Sequence, residues 1–230
     1  MDLSVIIPVY NEAGNIPVLI SRIGSSLKNI DYEVIFIDDG SEDGTEALVR
    51  ALQKKNKKIR LIERGKKMGL SSAVITGLKH SRGKYVCVMD GDLQHDPKYL
   101  PEMYNYIVRT PNSIVIGSRF VKNLRNQQRL DSKVGTFLCR DVLGMKAYDP
   151  LSGFFMLERR KFLSLVPRLN PVGYKILLEI LARGRFAKVK EIPIVFHMRK
   201  KGSSKLDLKT RAEFLKQVAM LLIGKLKSKS

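Results

Sequence analysis

The chain has 230 residues, of which 42 are Lys or Arg and 22 are Asp or Glu, for a net charge of +20, and 44% are hydrophobic. That is enough length and apolar material for one sizeable α/β domain with at most an appendage; wholesale disorder, collagen-like repetition and a stapled miniature are excluded. The two cysteines, Cys87 and Cys139, are far apart, and Cys87 lies in an apolar run, so neither a disulfide framework nor a cysteine-rich metal site is available. A reducing compartment follows. The chain opens directly on Leu3 to Ile7 with no basic stretch before it, so no secretory signal is expected. Phe214 to Ile223 is interrupted by Lys216 and Gln217 and falls well short of the ~20 apolar residues a bilayer requires.

In chain order, short continuous runs rich in Val, Ile and Leu predict buried strands at Leu3 to Pro8, Glu33 to Asp38, Ile59 to Glu63, Tyr85 to Asp90 and Ile114 to Ser118. Between them, helical spacing covers Ile16 to Leu27, Thr45 to Lys55, Leu70 to His80 and Lys98 to Arg109, the last with Asp96 as N-cap and Pro97 at the first position. Such alternation builds parallel βαβ units into an open, doubly wound sheet. Further on, Ser132 to Leu143 reads as a helix, Phe154 to Leu157 as a short strand and Tyr174 to Ala182 as an apolar helix. Lys188 to His197 reads as a late strand that Pro193 assigns to an edge or bulge. Residues 198 to 206 form a basic Gly/Ser loop, and Leu208 to Leu226 a basic amphipathic helix. The expected division is a domain over 1–206 and this helix over 207–230.

Charge is unevenly spread. Residues 1–50 hold nine acids against three bases, and residues 193–230 ten bases against two acids. Further basic surpluses lie in 54–68 and 119–146. Such surpluses point to an anionic partner: nucleic acid, a phosphorylated ligand or an anionic membrane.

Ligands of open α/β sheets bind at the carboxyl ends of strands. There the sequence sets Pro8-Val-Tyr-Asn-Glu12 after the first strand, Asp38-Asp-Gly-Ser41 after the second, and Asp90-Gly-Asp92-Leu-Gln94-His95 after the fourth. Asp90 and Asp92, one residue apart, can present oxygens to one hard divalent cation with Gln94 as a further donor, and Gly91 lets a ligand approach. Asp38-Asp39 can accept hydrogen bonds from a base or ribose, although capping by Ser41 or Asp43 explains part of that turn. Glu12 fits either a ligand or a helix macrodipole. No Gly-x-Gly-x-x-Gly or Walker loop is present, and no Gly-x-Ser-x-Gly elbow, so dinucleotide, P-loop and serine-hydrolase chemistry lose their main support.

Six ordered blocks carry a resemblance: Val5 to Glu12, Ile37 to Ser41, Gly69 to Ala73, Val88 to His95, Gly117 to Phe120 and Pro150 to Phe155. Over residues 3 to 206 the chain resembles the family 2 inverting glycosyltransferases of the GT-A fold, and more narrowly the catalytic domain of dolichyl-phosphate mannose synthases. The fold implied is GT-A-type, a Rossmann-like, mostly parallel central sheet flanked by helices. The activity implied is transfer of a hexose from a nucleotide sugar to a polyprenyl phosphate. By this likeness Pro8, Tyr10, Glu12 and Asp39 hold the nucleotide, and Asp90, Asp92 and Gln94 hold Mg²⁺ or Mn²⁺ on the diphosphate. Arg119 and Arg129 bind the acceptor phosphate with Ser152 and Gly153 nearby, and Arg199 and Lys205 close over the donor.

A phosphomonoester is already anionic, so such an enzyme needs cations rather than a general base, which agrees with arginines in place of a histidine. GDP-mannose is the donor expected, with UDP-glucose or another UDP-sugar as the alternative. A nucleic-acid-binding protein is the remote alternative, disfavoured because acidic strand ends repel phosphate backbones. The C-terminal helix is either a membrane-surface element, which sets the enzyme peripherally on the cytoplasmic face of a membrane, or ordinary packing.

Overall fold

A computed structural model describes residues 1–119, 147–170, 175–196 and 216–223. The strands are β1 (Leu3–Val9), β2 (Tyr32–Asp38), β3 (Ile59–Glu63), β4 (Tyr85–Val88), β5 (Ser113–Ser118), β6 (Phe155–Glu158) and β7 (Lys188–Pro193). The helices are α1 (Ile16–Ser26), α2 (Thr45–Lys55), α3 (Leu70–His80), α4 (Leu100–Arg109), α5 (Arg159–Leu165), α6 (Ile176–Arg183) and α7 (216–223). The expected helix over 132–143 and the basic loop lie outside the described residues.

Seven strands form one sheet in the order β3-β2-β1-β4-β6-β5-β7. All neighbours are parallel except at β6, which runs antiparallel to both β4 and β5. β1 and β2 are buried on both faces, and alternate residues divide between two cores. Val5, Ile7, Val34 and Phe36 pack under α1, α2 and α4. Ile6, Ile35 and Ile37 pack on the other face under α3, α5 and α6. β7 is an edge strand that ends at Pro193, as that residue's missing N–H requires. The Asp96 carboxylate accepts from Lys98 N–H as expected, but it opens a 3₁₀ turn (Pro97–Tyr99) that leads into α4.

The amino end of the sheet is closed by polar bonds. Glu33, 2% exposed at its side chain, accepts from the Ser4 hydroxyl at 2.7 Å, Arg82 N–H at 2.7 Å and the Arg60 guanidinium at 2.8 Å. Burial works against this carboxylate, but those bonds more than offset it and hold its pKa below the usual range.

Candidate active site

The carboxyl ends of β1, β2 and β4 open on one crevice, as the strand order requires. Asn11 and Leu93 in its loops both have left-handed backbone, with φ of 57° and 63°. Strained conformations of this kind cluster at functional sites, and Leu93 is held in place by burial. Asn11 ties two loops together: its N–H donates to Ser41 Oγ, and its side-chain oxygen accepts from Glu42 N–H, each at 2.9 Å.

On the nucleotide side, Pro8 and Tyr10 are half-buried, and the Lys67 ammonium stands 4.7 Å over the Tyr10 ring. Glu12 accepts from Asn15 Nδ2 at 2.7 Å, and its N–H donates to Thr45 Oγ1. The acidic pair after β2 separates into two jobs. Asp38 is consumed by its own turn, accepting from Gly40 N–H, Ser41 N–H and Ser41 Oγ. This local turn, rather than helix capping by Ser41 or Asp43, accounts for Asp38, so the ligand reading of the acidic pair rests on Asp39. Gly40, at φ +79°, lets that turn close. Asp39, 6% exposed, accepts from Met68 and Gly69 N–H, and Arg64 lies 3.1 Å from its other oxygen. Arg64 also donates to Gly69 O and Ser72 Oγ, so Asp39 and Arg64 together anchor the loop that starts α3.

After β4, the Asp92 carboxylate is buried and accepts from Gln94 N–H at 3.1 Å, an Asx-type turn that gathers the three expected ligands on one loop. The Asp90 side chain is 32% exposed, with His95 Nδ1 at 3.5 Å. Burial raises the Asp90 pKa; the charges of His95, Lys175 and Arg119 oppose this, and that of Asp92 adds to it. His95 is buried between the rings of Phe154 and Phe196, at 5.3 and 5.2 Å, and its Nδ1 has no hydrogen-bond partner among the described residues. Burial lowers its pKa, against the opposing pull of the Asp90 and Asp92 charges. Gly153 lies directly against Asp90: a Cβ there would overlap the carboxylate. Its role in this structure is to leave room at the acidic loop.

These residues fit a hard divalent cation. Oxygen donors suit Mg²⁺ or Mn²⁺, and the Asp90 carboxylate can take its place on this loop only because residue 153 lacks a side chain. Among the described residues no three His, Cys, Asp or Glu side chains converge on one point. Two carboxylates therefore need Gln94, phosphate oxygens or water to complete a coordination shell.

Across the crevice, Arg119 follows β5. Its Nε and Nη2 donate to both oxygens of Asp149, at 2.8 and 2.7 Å. Burial disfavours the charged guanidinium, yet its bonds to Asp149 and the charges of Asp149 and Asp90 hold its pKa above the usual value. Ser152 is turned inward: its hydroxyl donates to Gly117 O at 2.8 Å and is 3% exposed. It fastens the turn rather than presenting its hydroxyl to the open crevice. Lys175 donates to Leu151 O at 3.0 Å. Arg129, Arg199 and Lys205 lie outside the described residues.

Sequence reasoning missed Arg64, Lys67, Asp149, Lys175 and Glu191. Asp149 stood next to a quoted block, but an acid before proline reads as a turn. Arg64 and Lys67 lay in the basic surplus over 54–68, which pointed to an anionic partner without singling them out, and Lys175 lay in the run read as an apolar helix.

The glycosyl transferase family 2 model matches residues 4–165. A protein named dolichol-phosphate mannosyltransferase from Pyrococcus furiosus is 42% identical over 231 residues, covering 96% of this chain and 64% of that protein. One of the same name from Saccharomyces cerevisiae is 33% identical, covering 98% of this chain and 88% of its own length. The chain thus spans less than two thirds of the first relative and most of the second. Among solved structures, Mycobacterium tuberculosis glucosyl-3-phosphoglycerate synthase superposes with a TM-score of 0.69 at 21% identity, covering 97% of this chain and 80% of that one. The same enzyme with Mn²⁺, UDP and glucosyl-3-phosphoglycerate gives 0.68 at 20% identity, covering 97% and 79%. At such identities the likeness is one of fold, and it agrees with the GT-A-type sheet expected.

Proposed function

The chain belongs to glycosyl transferase family 2, and from that premise we propose that it is a metal-dependent inverting transferase that moves mannose from GDP-mannose to the phosphate of a polyprenol such as dolichol. The observation that carries this reading is the crevice itself: Asp90 and Asp92 on one loop, and Arg119, held by Asp149, on another within electrostatic reach of Asp90. A site for two anions that must be brought together calls for this pairing of a cation-binding wall with a cationic one. The names of the relatives favour mannose and dolichyl phosphate.

In the proposed reaction an oxygen of the acceptor phosphate attacks the anomeric carbon as the bond to the nucleoside diphosphate breaks, and the configuration inverts. Arg119, with Arg129, orients the acceptor, relieving its repulsion against the donor. Pro8, Tyr10, Glu12 and Asp39 line the nucleotide side, with Arg199 and Lys205 completing the donor diphosphate site. Asp90, Asp92 and Gln94 would hold Mg²⁺ or Mn²⁺, whose chemistry there is neutralisation of charge on the leaving diphosphate. A solved neighbour crystallised with Mn²⁺ and UDP is consistent with such a centre. Because the nucleophile is already ionised, His95 needs no general-base role, in keeping with its burial.

The acceptor's lipid tail implies a peripheral position on the cytoplasmic face of a membrane. Among the described residues no helix is long and apolar enough to cross one. α7 buries Gln217, Val218 and Leu221 against the domain and exposes Met220 and Ile223, so packing takes one face and leaves an apolar one for a membrane surface. Calorimetric titration with GDP-mannose and with UDP-glucose, each with and without Mn²⁺, tests the donor. Metal-dependent binding of GDP-mannose alone is expected; selective UDP-glucose binding would move the assignment to a glucosyl donor.

A further inference from the structure

We propose that Asp149, braced by Glu191, is a positioning residue that aims Arg119 at the acceptor phosphate; the proposal rests on the acceptor role given to Arg119 above. Asp149 is fully buried and accepts three hydrogen bonds from one residue: Arg119 N–H at 3.0 Å, Nε at 2.8 Å and Nη2 at 2.7 Å. Such a planar, two-pronged pairing fixes the guanidinium in rotation as well as position. Asp149 is itself immobilised. Glu191 of β7 accepts from Tyr148 and Asp149 N–H at 2.6 and 2.8 Å, and Ser152 pins the same turn to Gly117. Glu191 is paired in register with Ile116, one strand over from the end that carries Arg119. The backbone that carries this carboxylate is therefore held by two strands.

The need for this brace comes from what lies opposite. Asp90 is another carboxylate within electrostatic reach of Arg119, on the loop assigned to the cation. An arginine on a flexible stem, without Asp149, would turn toward that acidic loop and compete there with the metal. Bound to Asp149 and set against the Phe196 ring at 5.3 Å, it stays on the acceptor wall with its side chain 22% exposed. Asp149 thus keeps the two halves of the crevice chemically distinct.

The test is a double-mutant cycle of Asp149→Asn and Arg119→Ala, read as separate KM values for farnesyl phosphate and for whichever of GDP-mannose and UDP-glucose supports turnover. Asp149→Asn is expected to raise the acceptor KM at least about ten-fold while the donor KM stays within about two-fold, and to add nothing once Arg119 is Ala. A rise in both KM values alike, or the same loss in the Arg119→Ala background, would overturn the proposal, since a merely structural acid acts independently of Arg119. Arg119→Ala raising the donor KM instead would overturn the acceptor role of Arg119, while the coupling would still report on Asp149. Should Asp149→Asn fail to fold, Glu191→Gln is measured in the same cycle. It is expected to give a smaller rise in the same direction, again lost without Arg119; an unchanged acceptor KM in the folded Glu191→Gln protein would overturn the bracing.

Discussion

Two carboxylate centres sit at opposite ends of the same sheet, and their surroundings differ. At the amino end Glu33 is surrounded by donors from Ser4, Arg60 and Arg82, and its pKa is pulled down. At the carboxyl end Asp90 is pushed up by burial and has His95 at 3.5 Å, a histidine whose Nδ1 has no hydrogen-bond partner among the described residues. One carboxylate is stabilised as the anion by fixed donors and the other is disfavoured as the anion by burial, and acids perturbed in the second way cluster at functional sites.

The contrast can be broken by mutating each end. Asp92→Ala should reduce transfer at least about a hundred-fold through loss of metal, with the melting temperature little changed, measured by turnover and calorimetric Mn²⁺ titration. Glu33→Gln should do the reverse: about 2 kcal/mol less stable in urea unfolding, because buried donors lose their anion, with KM values unmoved. Gly153→Ala should sharpen the comparison by displacing the Asp90 carboxylate alone. It is expected to weaken metal activation about ten-fold, read from the Mn²⁺ concentration for half-maximal rate. The smallest effect is in pH. The Glu33 pKa is depressed on folding from an unfolded value near 4.5, so its stabilisation is fully present above 4.5 and is lost as pH falls through the folded value. Glu33→Gln should flatten that part of the acid-unfolding curve.

Much of this was legible in the residues. The strands at Leu3, Glu33, Tyr85 and Ile114 read correctly because a strand buried on both faces has no polar alternation to confuse with a helix; the one at Ile59 was placed correctly but, against expectation, is only partly buried. That acids follow the apolar runs at the ends of β1, β2 and β4 was legible; that Asp38 serves its own turn and Asp39 holds the loop before α3 was not. The reversed direction of β6 was not legible, since four apolar residues carry no sign of their orientation. Nor were the partners: whether Asp38 caps its turn, Ser152 turns inward, or Asp149 receives Arg119 depends on loops brought together across about 30 positions or more of sequence in the last case. Glu33 looked like one more strand-start acid until the fold delivered Arg82 to it.

The central claim is that the acidic carboxyl end of the sheet receives a metal-bound nucleotide sugar and the arginine wall a lipid phosphate. Its most direct test is to incubate the protein with GDP-mannose, dolichyl phosphate and Mn²⁺ and to identify the lipid product by mass spectrometry. The expected result is mannosyl-phosphoryl-dolichol, in the inverted β configuration, absent with chelator and with Asp92→Ala. Undiminished transfer by Asp92→Ala, or no hexose transfer from either GDP-mannose or UDP-glucose, would contradict it.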